Sequence, residues 1–385
     1  GNVTSYTYDT EGRMVSMTDG MGNTWSYEYN ANGQLIKTTD PAGGVTLSSY
    51  DVNSRADSST DANGNTTLYS YDGVGNQTAQ TDAMGHTSYS VYDENGNLVS
   101  YTDRNGSTTT YSYDKNNRLV GETNALGNVT SYTYDGNGQV TKTSTPLGNE
   151  STNVYDSVGR TTSITNARGY ATQYVYDQLG RITTSTNPDG STISYTYDAN
   201  GQVLSTTNEL GNTVSYTYDA NGRVTSMTDA MGGVTTYTYD AMGNVTSTTD
   251  PMGYVTSYTY NGNNAVASVT DPAGGVVTYA YNANGQVASV TDAMGGVTSY
   301  AYDAAGNQKS VTDAEGNTIT YTYDALNRVS QIEDARGNTW SYEYDAEGNL
   351  TEETDPLQHV ASKSYDALGQ LVSETDRNVN TTTYT

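Results

Sequence analysis

Residues 215–240 read SYTYDANGRVTSMTDAMGGVTTYTYD. The stretch opens and closes on Tyr-x-Tyr-Asp and carries Thr-Asp midway. Tyr followed by Asp or Asn recurs at Asp9, Asn30, Asp51 and onward to Asp366, 18 times, and every step is 21 residues. A second column follows ten residues behind the first, from Asp19 to Asp376. Three residues after each column stands a glycine, at 14 of 18 first-column sites and 16 of 18 second-column sites. Asn117, Asn264, Asn327 and Ser54 replace it in the first column, and Gln358 and Val379 in the second. Gly exchanged mainly for Asn marks a left-handed backbone position. Asp or Asn three places before it fits a type I turn closed by a G1 bulge, with the Asp oxygen accepting backbone N–H groups. Each repeat therefore holds two tight turns. Asp9, Asp19, Asp219 and Asp229, with Gly222 and Gly232, are expected to be structural turn braces.

Between the turns the spacing predicts strands of six or seven residues. Tyr alternates with Thr, so Tyr216 and Tyr218 share one face. Tyr6 and Tyr8, Trp25, Tyr27 and Tyr29, Tyr237 and Tyr239, and Trp340 fall on the same face, as a packing ladder with Thr and Val between the rings. No stretch carries a helical apolar stripe. Tight turns join antiparallel neighbours, which gives an all-β chain. Its 21-residue hairpins form one long spiralling antiparallel sheet of about 36 strands, on the order of 170 Å along its curve. A parallel solenoid with one repeat per coil is the alternative. It would stack like carboxylates about every 4.8 Å, which is unfavourable without cations. Residues 1–385 read as one continuous array of about 18 repeats, entered and left in mid-repeat.

Composition agrees with such an array. The chain has no Phe and no Cys, 37 Tyr and 40 Gly, and is 34% hydrophobic. A thick aliphatic core is out of reach, so each unit must bury a little against its neighbours. The formal charge of −27 leaves no basic stripe for nucleic acid, and no apolar run is long enough for a membrane span.

The pattern Y-D-x-x-G-[RNQ]-[LV]-x-x-x-T-D-x-x-G-x-x-T-x-Y-x-Y-D, seen here as YDANGRVTSMTDAMGGVTTYTYD at 218–240, resembles the RHS, or YD-repeat, consensus over essentially the whole chain. The resemblance implies hairpins in a spiralling strip that closes into a hollow shell, as in bacterial toxin complexes, polymorphic toxins and teneurins. Many such shells enclose a C-terminal toxin, and members are typically secreted or surface-exposed. The residues carry no plug, receptor-binding domain, shell-closing core segment or distinct C-terminal module, so toxin delivery is not implied.

Catalytic chemistry finds no constellation. Of the 36 column positions, 28 are Asp, seven are Asn and one is Thr145. All three types offer an acceptor oxygen, whereas a general acid needs the carboxyl. His86 and His359 lie 13 repeats apart and are expected to be exposed turn residues. No catalytic residue, cofactor or metal site is expected. Ca²⁺ is conceivable only through summed charge, because the EF-hand and β-roll patterns are missing. The expected role is a non-enzymatic scaffold, either a shell wall or the body of an extracellular or cell-surface fibre. Further copies or flanking repeats would join through open strand edges, and cargo would be enclosed. The alternative is an adhesin module that offers Tyr and Asp rows to surface glycans. Five successive second-column sites, Asn124 to Asn208, lack Asp, and Arg160, Arg168 and Arg181 lie nearby. A contact zone there competes with simple drift among interchangeable turn residues.

Overall fold

The computed structural model describes residues 3–384, which form 37 strands from β1 (Ser5–Tyr8) to β37 (Thr381–Thr383). Each strand pairs antiparallel with its neighbours in sequence, as β21 (Thr213–Tyr218), β22 (Val224–Thr228) and β23 (Val234–Tyr239) do. The parallel solenoid is thereby excluded. Interior strands have six residues before the Tyr-Asp turn, as the spacing predicted, and five after it, one fewer. Each five-residue strand carries a bulge. Tyr218 faces Val224 while Thr217 faces Ser226, so Thr225 is the extra residue. The same shift recurs in the other Tyr-Asp hairpins. Such a bulge bends its strand and increases local twist. Repeated once per hairpin, it coils the strip.

Two edges result, one lined by Tyr-Asp turns and the other by Thr-Asp turns. Side chains alternate between two faces. Tyr216 opposes Met227 and Tyr218 opposes Val224 on one face, while Thr217 and Ser226 meet on the other at 2.7 Å. In strands such as β23 the Tyr face is the more covered one. No apolar side chain is buried among the described residues. The sheet is thus a single layer with no packed core on either face, stabilised by its ladder and by half-buried cross-strand pairs.

Candidate functional site: two turn edges and the seam between coils

Each turn is built as the Asp and Gly columns require. The Asp219 N–H donates to Arg223 O and the Gly222 N–H to Asp219 O. Asp219 Oδ1 accepts the N–H groups of Asn221 and Arg223 at 2.9 and 3.0 Å. Asp9, Asp19 and Asp229 accept in the same way. Gly222 and Gly232 have φ of 82° and 85°. All six non-glycine replacements are also left-handed, from Asn117 at 59° to Ser54 at 68°, with Gln358 at 65° and Val379 at 66°.

The residue after the turn glycine links repeats. Arg223 Nε donates to Asp219 Oδ2 at 2.7 Å, its Nη1 donates to Asp240 O at 3.1 Å, and its guanidinium lies 4.6 Å from the Tyr239 ring centre. Six other arginines, Arg160 and Arg181 among them, stack likewise on the Tyr of the following repeat. Where Gln occupies the position it reaches the next turn, as Gln202 Nε2 does to Gly222 O at 2.8 Å. Asn244 instead donates to Asp240 Oδ2 and to Asn264 Oδ1. Arg160 and Arg181 are therefore tied within the Tyr-Asp edge rather than free for a contact zone, whereas Arg168 is exposed. The [RNQ] position is visible in the repeat pattern, but spacing alone says nothing of its reach.

Tyr239 explains why the second Tyr of each pair is kept. The β22–β23 ladder begins only at Ser226 and Thr236, so Val224 O faces no β23 partner. The Tyr239 hydroxyl donates to that oxygen at 2.6 Å. The same bond spans 15 residues from Tyr29 to Met14 O and in each later repeat, as from Tyr218 to Val203 O. The bulge opens the ladder and the phenol closes it. Tyr6 and Tyr8 lie on the first strand and remain 49% and 59% exposed, so the bonded series begins at Tyr29. Trp25 opposes Met17 and Trp340 opposes Ile332 on the Tyr face. Tyr27 and Tyr237 oppose Thr38 and Thr248.

Charge is arranged to suit these bonds. The Arg223 backbone N–H and guanidinium hold the Asp219 carboxyl below the usual carboxylate range. The side-chain amides of Asn76 and Asn97 do the same for Asp72 and Asp93. Burial pushes the Tyr218 and Tyr239 hydroxyls up, which keeps them protonated as donors.

Sequence reading missed the seam. The strip coils until the Tyr-Asp edge of one coil meets the Thr-Asp edge of the coil before it. The turns beginning at Asp19, Asp40, Asp61, Asp82 and Asp103 lie against those beginning at Asn261, Asn282, Asp303, Asp324 and Asp345, each pair 242 residues apart. Asn263 donates to Asp19 Oδ2 at 2.7 Å and Asn284 to Asp40 Oδ2 at 2.9 Å, while Asn327, from the turn after the one facing Asp61, reaches Asp61 Oδ2 at 3.1 Å. In the reverse direction Asn63 donates to Asp303 and Asn105 to Asp345. The Arg104 N–H also reaches Glu347. Burial raises the carboxyls of Asp19, Asp61, Asp303 and Asp345, but these amides and the turn N–H groups outweigh it and hold them low. Asp82 is one of the two buried polar residues, with Arg104 Nε 3.3 Å and His86 Nδ1 3.4 Å from its Oδ2. His86 is thus half-buried beside the seam rather than an exposed turn residue, whereas His359 is exposed and lies 3.1 Å from Asp355. No group of three or more metal-ligating side chains occurs among the described residues.

The sequence model of the family described as RHS Repeat matches residues 8–46, 50–87, 92–128, 113–150, 155–192, 197–230, 218–251, 243–276, 281–318, 302–339 and 323–360. No curated protein matches. Among solved structures, the crystal structure of TcdB2-TccC3-Cdc42 matches with a TM-score of 0.74 and 16% identity, covering 97% of this chain and 24% of that one. The crystal structure of TcdB2-TccC3 without its hypervariable C-terminal region gives 0.70 and 15%, covering 99% and 26%. The Photorhabdus luminescens Tc holotoxin pore gives 0.57 and 16%, covering 97% and 24%. The chain spans about a quarter of each of these proteins. At such identities the likeness concerns the fold.

Proposed function

This chain belongs to the RHS-repeat family, and we propose that it is a non-enzymatic wall segment, coiled around a hollow axis, of an extracellular or cell-surface shell or fibre. The observation that carries the reading is the seam, in which turns 242 residues apart meet at one constant offset while the sheet stays a single layer. One coil takes about eleven and a half repeats, or about 23 strands. At about 4.8 Å per strand its circumference is about 110 Å and its diameter about 35 Å. Side chains on the inner face leave an opening of about 20 Å, which would admit an extended chain or a helix of about 10–12 Å but no folded domain. The turn carboxylates accept backbone N–H groups, and the ladder phenols hold the sheet together. Both rows thus have a structural task, which supports the scaffold reading over the adhesin alternative.

Electron microscopy of the purified chain tests the proposal. Rings or short tubes about 35 Å across the backbone are expected; open flat ribbons or solid particles would refute the hollow-wall reading. A glycan array probed with the intact chain and with Tyr170→Ala and Tyr254→Ala, two exposed rings on the Thr-Asp edge, tests the adhesin alternative. Binding lost in those variants would favour it.

A further inference from the structure

Both halves of the seam recur at turns of the coil that make no seam contact among the described residues. At two of the five docked Thr-Asp turns the third residue is Met, and at the others it is Ala42, Asn63 and Asn105. Met21 lies so close to Gly262 that a Cβ there would meet its sulfur at 3.2 Å, and the Met84 sulfur lies 3.3 Å from Arg328 Nη2. These two methionines are 55% and 48% exposed, whereas Met231, Met252 and Met294 at the same turn position are 97%, 79% and 91% exposed. The carboxylates repeat the pattern. Asp40 is followed at its fifth turn position by Gly44, which has no side chain to bond Oδ2, and Asn284 fills that place across the seam. Asp229, Asp271 and Asp292 are followed by Gly233, Gly275 and Gly296 in the same way, and their Oδ1 atoms accept the turn N–H groups. Their Oδ2 atoms accept no side-chain hydrogen bond among the described residues.

The complementary half lies on the Tyr-Asp edge. Gly262-Asn263 supplies the small residue under Met21 and the amide for Asp19, and Ala283-Asn284 supplies the amide for Asp40. Ala31-Asn32, Gly136-Asn137, Ala199-Asn200 and Ala220-Asn221 repeat that pair at the same turn positions, and all eight residues are exposed.

We propose that the Thr-Asp edge carrying Asp229, Asp271 and Asp292 with Met231, Met252 and Met294 is a docking surface for the Tyr-Asp edge of a second copy of this chain. The second copy is seated as successive coils are seated within one copy. The contact is head-to-tail, so it does not close and copies stack along the coil axis. It rests on the hollow-wall reading and adds the surface and the chemistry of the partner. A charge of −27 per copy opposes the approach over long range, while the seam contacts act at hydrogen-bond distance. Added salt therefore strengthens the association, since the Debye length falls from about 10 Å at 0.1 M to about 3 Å at 1 M.

Sedimentation velocity of the intact chain over a concentration series, at 0.05 M and 0.5 M NaCl, tests the inference. Whole-copy mass steps are expected that grow with concentration and with salt. The variant M231D/M252D/M294D should associate at least tenfold more weakly. A wild-type chain that stays a single copy under every condition overturns the docking, as does a variant that associates like wild type. The coil is tested separately by a short bis-maleimide cross-link between Ala42→Cys and Asn284→Cys, at positions where the Ala42 N–H donates to Asn284 Oδ1 at 3.2 Å across the seam. The chain has no other cysteine. Failure of that link to form in single copies overturns the hollow wall itself. Its formation without stacking overturns the docking alone.

Discussion

Replacing Tyr239 with Phe removes one hydrogen-bond donor and little else. The ring remains under the Arg223 guanidinium 4.6 Å away, so the cation–π contact and the apolar cover persist. What is lost is the 2.6 Å bond to Val224 O, an oxygen that the bulge has taken out of the ladder. A net protein hydrogen bond contributes about 0.5–1.5 kcal/mol. The site is half-covered rather than sealed, so one substitution should cost about 1 kcal/mol, roughly a fivefold change in the local opening equilibrium. Tyr218, Tyr239, Tyr260 and Tyr281 bond four different carbonyls, one per repeat. Their effects should add, so the quadruple Phe variant should lose about 4 kcal/mol. The matched control places Phe at Tyr216, Tyr237, Tyr258 and Tyr279, which share the face but hold no such bond among the described residues. It should stay within about 0.5 kcal/mol per site. Urea unfolding gives the total. Amide exchange over residues 224–239 gives the local value, because a repeat array need not unfold in one step. A quadruple variant as stable as wild type, or a control that costs as much, would refute the role assigned to the phenol.

Other outcomes follow from the turns. Val379 is β-branched and held at φ 66°, so Val379→Gly should stabilise the last turn by about 1 kcal/mol or more; slower exchange at residues 376–383 is the readout. Asp219→Ala should destabilise the turn, by analogy with the loss of a helix cap. Asp219→Asn, which keeps the Oδ1 acceptor, should cost clearly less, and equal costs in urea unfolding would show that charge rather than acceptance matters. Arg223→Lys should lose about 0.5–1 kcal/mol, since a point charge cannot serve Asp219, Asp240 O and the Tyr239 ring together. The carboxyls of Asp51, Asp72, Asp93, Asp219 and Asp313 are lowered from 3.8 in the folded chain. Their contribution is full above the unfolded value and lost as pH falls below about 4. The Tyr218, Tyr239 and Tyr260 hydroxyls are raised from 10.0. Their contribution is full below that value and lost as pH rises beyond it. Melting temperature should therefore drop at both ends of a pH series; a flat acid limb would contradict the carboxylate bonds.

The 21-residue period, the two turns per repeat, the left-handed fourth positions and the Tyr face are all legible in the sequence, because each depends on residues within one hairpin. Asn at 117, 264 and 327 in place of Gly already states that φ is positive there. The bulge at Thr225 and the hydroxyl bond from Tyr239 to Val224 O were not legible. They depend on how one hairpin's ladder meets the next, and Tyr there reads equally well as simple packing. Arg223 could be seen at its position, but a guanidinium reaching 17 residues ahead in sequence is a property of strands placed side by side.

By itself, the sequence determined that this chain is a strip of antiparallel hairpins, since turn chemistry and alternation act locally and recur without interruption. Only the tertiary structure decided that the strip returns on itself after 242 residues and that Asp19 meets Asn263 rather than solvent. The number of repeats per coil is the sum of many small bulge-driven rotations, and no single residue carries that sum. A slight change in each rotation would carry Met21 past Gly262 to another turn, with every hairpin left as it is.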